Sequence, residues 1–90
     1  MNDIHNEVII DFPCDFPIKA MGLASDSFEI TVIDIVRRHA PDLKETAIHT
    51  RPSSNGKYVS VTVTIRAEHR AQLDAIYQDL TDCPDVLMAL

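Results

Sequence analysis

From Lys57 to Ala67 the chain alternates without a break: Val59, Val61, Val63, Ile65 and Ala67 fall on one side, and Tyr58, Ser60, Thr62, Thr64 and Arg66 on the other. Successive side chains of a strand point to opposite faces, so this pattern predicts a strand with one dry and one wet face. The rest of the chain must then cover the valine face. Upstream, Glu45 to Ser53 also reads as a strand, and Asn55-Gly56 is a turn signal between the two. Hairpin parity can be tested on paper. Setting Ile48 opposite Val63 places Thr46, Thr50 and Pro52 beside the valine face, with Glu45 facing Arg66 and Arg51 facing Ser60 outside. A slip of one residue would push His49 and Arg51 against the valines. Pro52 has no N–H to donate, so a four-residue loop, Ser54 to Lys57, is expected because it puts Pro52 at a non-bonded pair. The same proline places its strand at a sheet edge.

The remaining elements follow from local signals. DFPIKAMGL, from Asp15, predicts a first strand ending near Gly22. Asp26-Ser27-Phe28-Glu29 fits a capping box that opens a helix with Phe28, Val32, Ile35, Val36 and His39 on one stripe and Ile30 and Ile33 widening it. Arg37-Arg38 complement the negative end of the helix dipole, and Pro41 lies just beyond. A second helix carries His69, Leu73, Ile76, Tyr77 and Leu80 on one stripe and closes before Pro84. Asp85 to Leu90 reads as a final buried strand. The order βαββαβ most economically forms a ferredoxin-like α+β sandwich, a four-stranded antiparallel sheet in the order 4-1-3-2 with two helices on one face. The domain expected is 15–90, preceded by an N-terminal arm, 1–14, in which Val8-Ile9-Ile10 offers an extra edge strand.

Charge and residue types exclude several functions. The net charge is −6, with eight Lys and Arg against fourteen Asp and Glu and no basic stripe, which argues against nucleic acid and anionic membrane as partners. No apolar run is long enough to span a bilayer and the start lacks a signal-peptide pattern, so a cytoplasmic location is expected. Cys14 and Cys83 are expected to be reduced, and the four histidines show no metal-ligand spacing; no metal and no cofactor is expected. An acylphosphatase-like enzyme would need an arginine after the first strand, where Met21-Gly22-Leu23-Ala24-Ser25 has none. An RNA-recognition surface would need more outer-face aromatics than Tyr58. His39 and His69 read as core-boundary residues, and His49 as the histidine free to touch a partner.

FPCDFPIKAMG (Phe12 to Gly22), the helix exit Arg38-His39-Ala40-Pro41, PSSNGKYVSVTV (Pro52 to Val63) and the ending VLMAL resemble the YbeD-like family of small bacterial proteins, nearly end to end. The resemblance implies a ferredoxin-like fold similar to ACT-type regulatory domains, no catalytic residues, and a suggested role in lipoic acid binding. One departure is Glu68, where a Ser or Thr helix cap would be expected.

The expected function is therefore a small non-catalytic regulatory or ligand-binding module, sensing a lipoate-related metabolite. Its ligand residues would be Met21, Gly22 and Leu23, between the first strand and first helix, and Ser53 and Ser54 of the hairpin loop. The alternative is an adaptor or oligomerisation module that binds a protein through its open sheet face or an edge. The uncovered face and the unpaired edge from Glu45 to Ser53 also favour a homodimer. The loop itself is expected to be a hairpin corner, since turns use Ser, Asn and Gly for backbone reasons.

Overall fold

The computed structural model describes residues 10–90. It contains strand β1 (Cys14–Leu23), helix α1 (Phe28–Arg37), strands β2 (Ile48–Pro52) and β3 (Tyr58–Ala67), helix α2 (Arg70–Asp82) and strand β4 (Met88–Ala89). All strand pairs are antiparallel and the sheet order is β2-β3-β1-β4, the expected order read from the other edge. β1 starts one residue before the expected boundary, and Ile10 and Phe12 pack against the core upstream of it. Val8 and Ile9 lie outside the described residues.

Parity decides the interior. Ile18 and Ala20 of β1 and Val61, Val63 and Ile65 of β3 are buried, and they meet Phe28, Val32, Ile35 and Val36 of α1 and Leu73, Ile76 and Leu80 of α2. Every buried side chain among the described residues is apolar, so no desolvated polar group has to be matched inside.

The hairpin follows the expected register, with Ile48 opposite Val63, Arg51 opposite Ser60 and Pro52 opposite Val59. Ser53 donates its N–H to the Tyr58 carbonyl (2.8 Å), which closes a four-residue loop. Bonded and non-bonded pairs alternate, so Pro52 falls at a non-bonded pair, on the edge strand where its missing donor costs nothing.

Several expectations are corrected. Glu45–Ala47 is a 3-10 turn and not strand, so Glu45 does not face Arg66; Arg66 instead reaches Asp15 across β1 and β3 (3.4 Å). The first helix is not opened by Asp26: the Ser25 hydroxyl accepts the Phe28 N–H (3.1 Å), and Ser27 makes no side-chain cap bond. His69 lies before α2, not on its stripe, and its ring Nδ1 accepts the Gln72 N–H (3.2 Å), so an imidazole does the work of the missing Ser or Thr cap. Ile30, expected to widen the apolar arc, is exposed. β4 is not buried. As the sheet's other edge it pairs only with β1, and Met88 and Leu90 project outward.

Candidate functional site

The residues singled out in the sequence gather at one end of the sheet. Leu23 pairs with Tyr58, and Tyr58 with Ser53, so β1's last residues and the hairpin loop lie in neighbouring rows. The loop chemistry is internally satisfied. Ser53 Oγ donates to Asn55 Oδ1 (2.9 Å) and accepts the Tyr58 N–H (3.0 Å), Asn55 Oδ1 accepts the Lys57 N–H (3.0 Å), and the Ser53 carbonyl accepts the Gly56 N–H (2.9 Å). Gly56 has φ 75°, the left-handed region that glycine adopts without strain. These contacts are those of a hairpin corner; Ser54 is exposed at its tip.

Gly22 is buried for a different reason. A Cβ at this position would stand 2.5 Å from the Asp85 carbonyl oxygen and 2.5 Å from the Phe28 ring. The missing side chain is the space into which α1 inserts Phe28, itself 2% exposed. Met21 and Leu23 point the other way, to the outer face, where Met21 pairs with Met88.

A second concavity lies at the opposite end of the sheet. An open groove of about 760 Å³ runs between the connection from α1 to β2 and the first turns of α2. Ala40, Leu43, Ala47, Ile65 and Ala75 supply its apolar lining, and Lys44, His69, Gln72 and Arg66 lie among its polar groups, with Asp15, Asp42 and Glu68. A groove of this size, mostly apolar with a few placed polar groups, is of the dimensions that hold small molecules.

Its walls are tied together by side chains. Gln72 accepts the Glu68 N–H on Oε1 (2.7 Å) and donates Nε2 to the His39 carbonyl (2.8 Å), joining the end of α1 to the start of α2. Arg37 donates to the Leu43 carbonyl (3.0 Å), folding the connection back. His39 Nε2 donates to Asp79 Oδ2 (2.7 Å), with Arg38 at 3.7 Å from the same oxygen. The His39 hydrogen bond is the main reason the Asp79 carboxyl lies below its ordinary value; partial desolvation opposes the shift, and the charges of His39 and Arg38 reinforce it. Burial pushes the Tyr77 phenol up. Because Nδ1 of a neutral His69 accepts a backbone N–H, its proton sits on Nε2, a donor on the groove's rim. His49, on the outer face of β2, is exposed and takes no part in the groove.

Beyond the helix exit Arg38-His39-Ala40-Pro41, the connection from residue 39 to 47 carries no sequence motif, and its meeting with α2 is a long-range event that local patterns do not announce. The available signal was His39 and His69, far apart in sequence and both at the groove. Among the described residues no group of three or more His, Cys, Asp and Glu side chains is placed to hold a metal. Cys14 faces Ala67 at the groove end of the sheet, whereas Cys83 precedes the segment that bonds Met21 at the other, so the two thiols lie apart. No helix among the described residues is long and apolar enough to cross a membrane.

Comparison with known proteins agrees with this architecture. Residues 7–90 match the family described as "Protein of unknown function (DUF493)". A UPF0250 protein of Nitrosomonas europaea is 49% identical over 84 residues, covering 93% of this chain and 97% of its own. A UPF0250 protein of Chromobacterium violaceum is 47% identical over 90 residues, covering all of both chains. The solution structure of protein HP0495 from H. pylori superposes with a TM-score of 0.72 over 100% of this chain and 94% of that one, at 16% identity, a likeness of fold alone. The chain belongs to the DUF493/UPF0250 family, the family to which its YbeD-like motifs point.

Proposed function

We propose that the protein is a small non-catalytic regulatory module that senses a small metabolite with an apolar body and a carboxylate. Lipoate is the candidate that the YbeD-like resemblance implies. One observation carries the reading: the groove of about 760 Å³ combines an apolar lining with Lys44 and the His69 Nε2–H at its rim. An aliphatic acid would leave water along Ala40, Leu43, Ala47 and Ala75 and set its carboxylate against these donors. The hairpin end supports the reading less well, because the Phe28 ring fills the space beside Gly22 and Ser53 is spent on its own loop.

The test is a thermal-shift panel of lipoate, octanoate and amino acids on the wild-type chain, Lys44→Ala and Ala71→Trp. Ala71 is an exposed groove residue, so the tryptophan occupies the groove without entering the core. An acid at 100 times its dissociation constant should stabilise the wild type by about 2.7 kcal/mol, and this gain should vanish in Ala71→Trp. No shift with any acid would refute the reading. Loss of the shift in a Ser53→Ala, Ser54→Ala double variant, with Ala71→Trp unaffected, would move the site to the hairpin end.

A further inference from the structure

The outer face of the sheet is unlike the molecule it belongs to. The chain as a whole carries −6, yet four of its eight basic residues lie on or over this face: Lys19 on β1, Arg51 on β2, Arg66 on β3, and Lys57, whose ammonium sits 5.4 Å from the centre of the Tyr58 ring. Asp15 is the one acidic residue at an outward strand position among the described residues, and it is taken by Arg66. Exposed His49 adds a further donor beside Thr62.

Apolar side chains are also gathered there. Among the described residues five large apolar side chains are more than half exposed, and four of them, Leu23, Leu87, Met88 and Leu90, lie at or beside the corner where β1 meets β4. Met21 pairs with Met88 and Leu23 with Tyr58, so these side chains adjoin one another on the sheet. Single exposed apolar residues are ordinary on any protein, but a cluster beside a band of like charge marks a surface that excludes water against something.

We propose that the open sheet face is a docking surface for an acidic segment of another protein that presents apolar side chains beside its carboxylates. Charge selects the occupant. A second copy laid face to face would set Lys19, Arg51 and Arg66 against their own symmetry mates, whereas an acidic segment meets them with opposite sign. The aliphatic corner suits a protein better than single-stranded nucleic acid, which would need stacking aromatics where this face has Tyr58 alone, with Lys57 over its ring. Among the described residues, α1 and α2 cover only the inner face of the four strands and leave this side open to such a partner; it shares Asp15, Thr64 and Arg66 with the groove's edge, whereas Lys19, Arg51 and the apolar corner lie outside it.

The experiment titrates the full chain with three fluorescent probes: an amphipathic peptide with Glu on one face and Leu on the other, its Lys-for-Glu counterpart, and oligouridylate. Binding is read by anisotropy and located by backbone amide shifts. The acidic peptide should bind, weaken with added salt, and shift amides around Lys19, Met21, Leu23 and Met88. Lys19→Glu with Arg51→Glu, and separately Leu23→Ser with Met88→Ser, should each weaken it about tenfold while leaving the melting temperature unchanged, since all four positions are exposed. Equal binding of the basic peptide, tighter binding of oligouridylate, acidic-peptide shifts confined to the helices or groove, or no binding would each overturn the proposal. So would light scattering that shows a dimer lost in Leu23→Ser with Met88→Ser.

Discussion

The two faces of β3 share one backbone and have opposite tolerances. Val61 and Val63 are fully buried against α1 and α2, while Ser60, Thr62 and Thr64, their immediate neighbours, are half-buried on the face that the described residues leave open. Stability is concentrated on one side of the strand, and the other side is left free to carry polar and charged residues.

The sharpest way to break this comparison is to place a carboxylate on each face in turn. Val61→Asp should unfold the protein, because an unpaired buried carboxylate costs several kcal/mol, a large share of the stability of a chain this size. Thr62→Asp should remain folded. Equal melting temperatures would refute the assignment of the faces.

A glycine pair sharpens it further. Gly22→Ala should destabilise by about 2 kcal/mol or more, since the new methyl meets a backbone carbonyl and a packed ring at 2.5 Å. At Gly56 nothing stands within 4 Å of the added Cβ, so only the positive φ matters. Gly56→Val should therefore lose about 1–2 kcal/mol, and Ser54→Ala almost nothing, by urea midpoint. A larger loss at Gly56 than at Gly22 would mean that the loop, and not the helix-strand contact, limits the fold.

The smallest effect lies between the helices. The Asp79 carboxyl is lowered from an ordinary value of 3.8, chiefly by the His39 hydrogen bond. A group depressed in the folded state contributes stability that is present above the unfolded value and is lost as pH falls through the folded one. Acidification below about pH 4 should thus cost the wild type slightly more than Asp79→Asn, as judged by urea midpoints at several pH values. Parallel loss in the two proteins would show that the contact contributes nothing.

From Ile48 to Val63 the hairpin was legible because two constraints agreed: the side-chain period of two set the faces, and Pro52 chose the loop length. The helices were legible from their stripes, but their beginnings were not. Asp26 and Ser25 are both acceptable acceptors, and backbone geometry chose Ser25; a histidine cap such as His69 carries too weak a sequence signal to compete with the apolar stripe beside it. Glu45 to Ala47 looked extended because the hairpin register carried on past Ile48 set Glu45 opposite Arg66, yet the turn into β2 coils them. β4 read as buried from its composition, though the strand order itself puts it at an edge. The groove was least legible, since residues 39–47 and 64–75 meet only through the fold, by contacts such as Gln72 to the His39 carbonyl. The expected ligand residues did gather at one end, but a glycine that admits a ligand and one that admits a phenylalanine look alike in a sequence.

The insertion of Phe28 beside Gly22 also has an evolutionary reading. A hole at one position is filled by a ring at another, so neither residue is free to drift alone: a methyl gained at 22 is tolerable only where the ring at 28 shrinks or withdraws. Relatives that carry alanine at the first position should carry a smaller or unbranched side chain at the second. The two should therefore change together along a lineage, and a change at either alone should be rare, whatever ligand or partner that lineage has adopted.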